Sequence, residues 1–284
     1  MTLINAAKIR KFLENLPYPA HCIHCQGIDE KAENPVHHPS YEVTPSCNLR
    51  CIFCYSRIAE LKGAAPKPGY YGSLNPKAIT ISQYGEPFVV GTERVVKIIR
   101  KLRERFGEVR IDIQTNGTLL DPEILGNEAD IVMISLDAGS RESYVEIAGR
   151  DYFKKVVENI RRMSEQTYTA VRTVFMPGVN DYELERIAEI ASIAEELFLQ
   201  PISIYRENTE LMRRLDVERA ESLGEYIKTA YRLSEIAEVR IPGCLLLNMR
   251  WFLKEYDVGD LLLVRRDAFG SMPIMQRDWQ FSFD

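Results

Sequence analysis

The chain has 284 residues, 45% hydrophobic and 27% charged, with 36 Lys+Arg against 41 Asp+Glu for a net charge of −5. That balance excludes a disordered or collagen-like chain and a small disulfide scaffold, and it suits one α/β domain of barrel size or at most two domains. No apolar run reaches the roughly 18–20 residues of a membrane span, and Lys8, Arg10, Lys11 and Glu14 interrupt the amino-terminal stretch, so a cytoplasmic protein with no membrane contact is expected. The acidic balance also sets nucleic acid aside as the default partner, because phosphate binding needs a basic field. A locally concentrated basic face would bring it back.

The first 54 residues concentrate metal-ligand chemistry. Five of the six Cys lie between Cys22 and Cys54, and all four His lie between His21 and His38. Beyond them stands a single Cys, Cys244. Core cysteines would scatter, and disulfides are uncommon in a cytosolic chain, so the bunching points to metal ligation. It also removes a Ser-His-Asp triad or a Cys-His pair from the body of the chain. Within His21-Cys22-Ile23-His24-Cys25, the Cys-x-x-Cys pair has ligand spacing, and with Cys244 it makes a set of three thiolates. Three readings stay open: a second iron–sulfur cluster, a zinc knuckle completed by two of His21, His24, His37 and His38, or a redox disulfide.

After residue 40, short β-branched runs alternate with helical spacing. The runs are Tyr41–Thr44, Ala78–Gln83, Val109–Gln114, Ile131–Asp137, Thr169–Met176 and Gln200–Arg206. Between and after them, apolar residues recur with helical period at Val95, Ile99, Leu102 and Phe106, at Val156, Ile160 and Met163, at Leu184, Ile187, Ala191, Ala194 and Phe198, and from Val217 to Leu233. This rhythm predicts an α/β fold with a parallel sheet that closes wholly or partly as a (β/α)6 TIM-like barrel over residues 41–238. An amino-terminal metal-binding segment, 1–40, and a carboxy-terminal extension, 239–284, flank it.

Alternation places Ile79, Ile81, Ile111, Ile113, Ile202 and Ile204 against the helices, and Thr80, Ser82, Asp112, Gln114, Ser203 and Tyr205 inside. A polar interior differs from the branched layers that fill an ordinary barrel, and it implies a wet lumen for a polar ligand. An open sheet with one solvated face is the alternative. Lys97, Arg100, Lys101, Arg103 and Arg105 form a basic helix face, solvated or, if it joins the rim, an RNA contact. The tail from Asp267 to Asp284, with Phe269, Met272, Met275, Trp279, Phe281 and Phe283, is expected to cover the barrel mouth or an edge strand.

The motif Cys47-Asn48-Leu49-Arg50-Cys51-Ile52-Phe53-Cys54 follows the first predicted strand. Three thiolates at this spacing can hold three corners of a four-iron cube and leave the fourth iron open, whereas ordinary ferredoxin clusters take four Cys and zinc knuckles favour paired Cys-x-x-Cys units. With its aromatic residue before the last Cys, the motif resembles that of the radical S-adenosylmethionine (radical SAM) superfamily, and the resemblance runs from about Tyr41 to Arg206. It implies a 4Fe-4S cluster that binds SAM, takes an electron from a low-potential donor, and splits SAM into methionine and a 5′-deoxyadenosyl radical. That radical abstracts hydrogen from a substrate.

The resemblance also implies site residues. Ser82-Gln83-Tyr84-Gly85-Glu86-Pro87 is similar to the family's Gly-Gly-Glu-Pro segment, with Tyr84 in place of one glycine. Asn116 in Thr115-Asn116-Gly117, the pair Ser135 and Asp137, Phe53 beside adenine, and Arg172 facing the methionine carboxylate complete the set. Some members add an auxiliary cluster held by a Cys pair and a distant Cys, which Cys22, Cys25 and Cys244 would match. The substrate expected first is a cofactor precursor, then a peptide or protein. A non-catalytic metal-binding or electron-transfer module and an RNA-modifying enzyme are the alternatives.

Overall fold

A computed structural model describes residues 5–271 and 273–283, so Met272 of the aromatic tail lies outside the described residues. Nine strands form one sheet: β1 (Ser40–Glu42), β2 (Gly69–Tyr71), β3 (Ala78–Ile81), β4 (Arg110–Thr115), β5 (Ile131–Ser135), β6 (Tyr168–Phe175), β7 (Glu196–Pro201), β8 (Val239–Arg240) and β9 (Trp279–Phe281). Their order is β8-β7-β6-β5-β4-β3-β1-β2-β9. From β1 through β8 by way of β3 the pairs are parallel, and β2 and β9 add antiparallel strands at one end. The result is a mixed α/β partial barrel, with seven parallel strands where six units were expected.

Helices cross between the parallel strands because their apolar stripes need cover. Thr92–Phe106 buries Val95, Ile99 and Leu102 and stops at Gly107, whose φ of 73° ends the helix. Phe153–Ser164 buries Val156, Ile160 and Met163, and Leu184–Ala191 buries Leu184, Ile187 and Ala191. Ile79, Ile81, Ile111 and Ile113 are buried in the same apolar core as these helices, as the alternation requires.

Two boundaries fall elsewhere than the pattern suggested. The spacing from Leu184 to Phe198 breaks after Ala191, because Glu196–Pro201 pairs with β6 and seats Leu197 and Leu199 in the core. The predicted strand Gln200–Arg206 therefore begins earlier, and Ile204 makes only an isolated bridge to Phe269. The stretch from Val217 to Leu233 divides into Val217–Glu221 and Leu223–Leu233, because the Ser222 hydroxyl accepts the Glu225 amide and caps the second helix.

The two ends of the chain lock together. The helix Ala6–Asn15 packs on Gly243–Glu255, and Arg250 donates to the carbonyls of Leu13 (3.0 Å), Glu14 (3.1 Å) and Leu16 (2.6 Å) at its end. Arg10 returns the bond, donating to Leu253 O at 2.9 Å. Each guanidinium thus satisfies helix-end carbonyls that have no partner of their own. The tail does cover an edge, since β9 pairs antiparallel with β2 and stacks Phe281 on Tyr70.

Candidate active site

The loop after β1 carries Cys47, Cys51 and Cys54 and is pinned from several sides. Arg50 N donates to Ala148 O (2.9 Å) and Ile52 N to Ile147 O (3.0 Å), which ties the loop to the end of the helix Arg141–Ala148. Cys54 caps the helix Tyr55–Leu61, its sulfur accepting the Arg57 amide at 3.4 Å. Cys47 Sγ accepts the Leu49 amide at 3.4 Å and lies 3.6 Å from Asn116 Nδ2. Asn116 also donates to Asn48 Oδ1 at 2.9 Å, so the turn after β4 reaches the cysteine loop directly. Burial pushes the Cys51 thiol well up, and the neighbouring Cys54, Asp137 and Cys47 push the same way. The three sulfurs therefore share one electrostatic neighbourhood. Metal uptake must remove their protons.

The segment after β3 is equally constrained. Ser82 adopts φ 54°, uncommon for a residue with a side chain, while its hydroxyl accepts the Val43 amide at 3.2 Å. The backbone amides of Gln83 and Tyr84 both donate to Glu42 Oε2 at 3.0 Å. Tyr55 donates to Gln83 O, and Arg277, reaching in from the tail, donates to Gln83 Oε1 at 2.6 Å and to His38 O. Gly85 has φ 68°, and a Cβ there would stand 2.1 Å from Thr44 O. Its amide donates to Ser56 Oγ at 2.8 Å.

Glu86 accepts from Asn116 N (2.6 Å), Thr115 Oγ1 (2.7 Å) and Phe88 N (3.1 Å), and Pro87 opens the short 3-10 turn that follows. Burial pushes its carboxyl up to about 7 against those donors. On the next strands, Arg172 donates to Gln114 Oε1 at 2.8 Å and to Ser135 Oγ at 3.1 Å, bridging the neighbouring strands β4, β5 and β6. Asp137 accepts Val174 N at 2.7 Å, and burial pushes its carboxyl up to about 6.

Two adjoining cavities, of about 290 and 120 Å³, share Cys47, Leu49, Cys51, Cys54 and Ser56. The second is also lined by Phe53, Gly85, Glu86, Asn116, Ser135, Asp137 and Arg172. All the residues expected to contact SAM except Pro87 thus line one cavity, with Gly85, Glu86, Asn116, Ser135 and Asp137 at or just beyond the carboxyl ends of β3, β4 and β5. The donor chemistry suits the groups the motif implied: three thiols for iron, with hydroxyl, amide and guanidinium groups for a zwitterionic ligand. Among the described residues no three His, Cys, Asp or Glu side chains are gathered around a single-ion position. A four-iron cube spreads its thiolates farther apart than one ion does.

Glu42, Gln83 and Arg277 were not singled out from the sequence. An acidic residue in the first strand was the visible signal for Glu42. Arg277 offered none, because its position depends on how the tail returns along β2.

The second cysteine set lies elsewhere. Arg110, the first residue of β4, donates to the carbonyls of Ala20 (3.1 Å), His21 (2.9 Å) and Ile23 (3.0 Å), and Glu196, the first of β7, accepts Ala20 N at 3.3 Å. The His21 ring meets Phe198 edge-on at 4.7 Å, and burial lowers its pKa to about 3. His24 is exposed in a turn with φ 69°, whereas His37 places Nδ1 3.6 Å from Cys25 Sγ. Cys244 opens the helix Gly243–Glu255 beside them.

The radical SAM superfamily profile matches residues 41–191. An uncharacterised protein of Methanocaldococcus jannaschii is 37% identical over 97% of this chain and 94% of its own length. The GTP 3′,8-cyclase of Petrotoga mobilis is 31% identical over 52% of this chain and 50% of its own length, so the match spans about half of that enzyme. The S-adenosyl-L-methionine-dependent tRNA 4-demethylwyosine synthase of M. jannaschii is 26% identical over 72% of this chain and 77% of its own length. Among the described residues no helix is long and apolar enough to cross a membrane.

Proposed function

The chain belongs to the radical SAM superfamily, and on that premise we propose that Cys47, Cys51 and Cys54 hold its 4Fe-4S cluster and that the adjoining wall binds SAM for attack on a small polar substrate in the lumen. Membership makes it an enzyme rather than a passive electron carrier. The bound cluster supplies the electron that splits SAM into methionine and a 5′-deoxyadenosyl radical.

The chain's own residues then have separable tasks. Gly85 lets the backbone after β3 lie against Thr44, which fixes the approach to Cys47. Glu86 and Asn116 tie the β3 and β4 turns to the cysteine loop. Arg172, held by Gln114 and Ser135, presents the positive charge suited to a carboxylate. The observation that carries the proposal is the cavity wall shared by the three-cysteine loop and these strand ends.

A small substrate is favoured over RNA because part of the basic helix face is already paired, although Lys97 is exposed. Arg100 pairs with Glu128 and Arg103 with Asp130, while Arg105 lies 4.0 Å over Phe281 and Lys101 5.4 Å over Phe283. Glu128 and Asp130 thus offset two of the five cations. The test is to supply reconstituted, reduced enzyme and SAM with the small-molecule or the tRNA fraction of a deuterium-grown cell. Deuterium in 5′-deoxyadenosine from the small-molecule fraction supports the reading. Deuterium from tRNA alone would transfer the proposal to RNA.

A further inference from the structure

We propose that Cys22, Cys25, Cys244 and His37 form a structural zinc site that staples the amino-terminal segment to the helix Gly243–Glu255. The residues come from positions more than 200 apart in the chain, yet they meet around two glycines. A Cβ at Gly27 would stand 3.4 Å from Cys244 Cβ, 3.5 Å from Cys25 Sγ and 4.0 Å from His37 Cε1, and one at Gly243 would stand 3.2 Å from Cys22 Sγ.

The donor set selects one ion rather than an iron–sulfur cube. Three thiolates and an imidazole close a tetrahedral shell. Sulfur at ~2.3 Å and nitrogen at ~2.05 Å from one zinc, at a tetrahedral angle, stand about 3.6 Å apart. His37 Nδ1 and Cys25 Sγ are 3.6 Å apart. The sulfurs are neighbours without yet being gathered, so uptake draws them in by side-chain rotation and displaces thiol protons.

The position accounts for a staple. Cys22 and Cys25 adjoin the Ala20–Ile23 stretch whose carbonyls Arg110 holds at the start of β4. Fixing them to Cys244 anchors that stretch on a second side, away from the loop that follows the end of β1. His21 also comes within 3.4 Å of Cys22 Sγ, but its ring is packed against Phe198. His37 is therefore assigned as the fourth ligand.

The test uses the full chain with Cys47, Cys51 and Cys54 all changed to Ala, so that its outcome is independent of the catalytic cluster. The expected result is about one zinc per chain with no iron or sulfide. Cobalt(II) in its place should give the thiolate charge-transfer and tetrahedral d–d bands. Cys244→Ser and His37→Ala should each lose the bands, and His21→Ala should keep them. Iron with sulfide, a folded chain without metal, or zinc indifferent to His37→Ala would overturn the proposal. If the triple variant does not fold by circular dichroism, the zinc content of the otherwise unaltered chain, with and without Cys244→Ser, decides in the same way.

Discussion

Replacing Gly85 with Ala perturbs the site at its most crowded backbone contact. The new Cβ would lie 2.1 Å from Thr44 O and 2.8 Å from both Pro45 C and Ser46 O, all of them main-chain atoms that cannot swing aside. A side chain at φ 68° adds its own cost of about 1–2 kcal/mol. Overpacking adds about 1–3 kcal/mol, while the stiffer unfolded chain returns about 0.4–1 kcal/mol. The expected net destabilisation is about 2–4 kcal/mol, read by urea unfolding of the reduced, metal-free chain. Because the displaced atoms lead into Cys47, SAM binding to the reconstituted variant should weaken at least tenfold in equilibrium dialysis, about 1.4 kcal/mol. Unfolding within 0.5 kcal/mol of the parent together with unchanged SAM affinity would refute the reasoning.

Three further outcomes follow from the same geometry. Arg277→Ala removes the tail's bonds to Gln83 and His38 and should weaken SAM binding by roughly 3- to 30-fold, so parental affinity in a folded variant would show that the tail does not brace the segment. Arg172→Met leaves Gln114 and Ser135 without their shared donor and should cost about tenfold or more in SAM affinity at little change in iron content; iron loss instead would make the residue structural. Glu86 binds its proton more tightly when folded, up to about 7 against 4.5, so the stability it contributes is fully present below about pH 4.5 and is lost as pH rises through 7. Relative to Glu86→Gln, the parent chain should therefore lose up to about 3 kcal/mol between those limits, and a flat difference across pH 5–7 would show that burial does not set the proton affinity.

Most of the barrel and one cysteine set were legible because each rested on a local rule. Ile79, Ile81, Ile111 and Ile113 alternate with polar residues, and Cys47, Cys51 and Cys54 lie within one short loop. Strand seven was misplaced because Phe198 satisfies a helical period and a strand's inward face equally well, and only pairing with β6 decides between them. Arg277 reaches Gln83 across a separation of 194 residues, which no local pattern reports. His37, rather than His24, is the ring beside Cys25 because His24 sits exposed in a turn at φ 69° while the segment folds back over 12 residues.

The most direct measurement of the central claim is product analysis after anaerobic reconstitution, chemical reduction and addition of SAM. Methionine and 5′-deoxyadenosine should appear in equal amounts, and neither should form with Cys51→Ala. A chain that carries its full iron and sulfide yet leaves SAM intact would contradict the account.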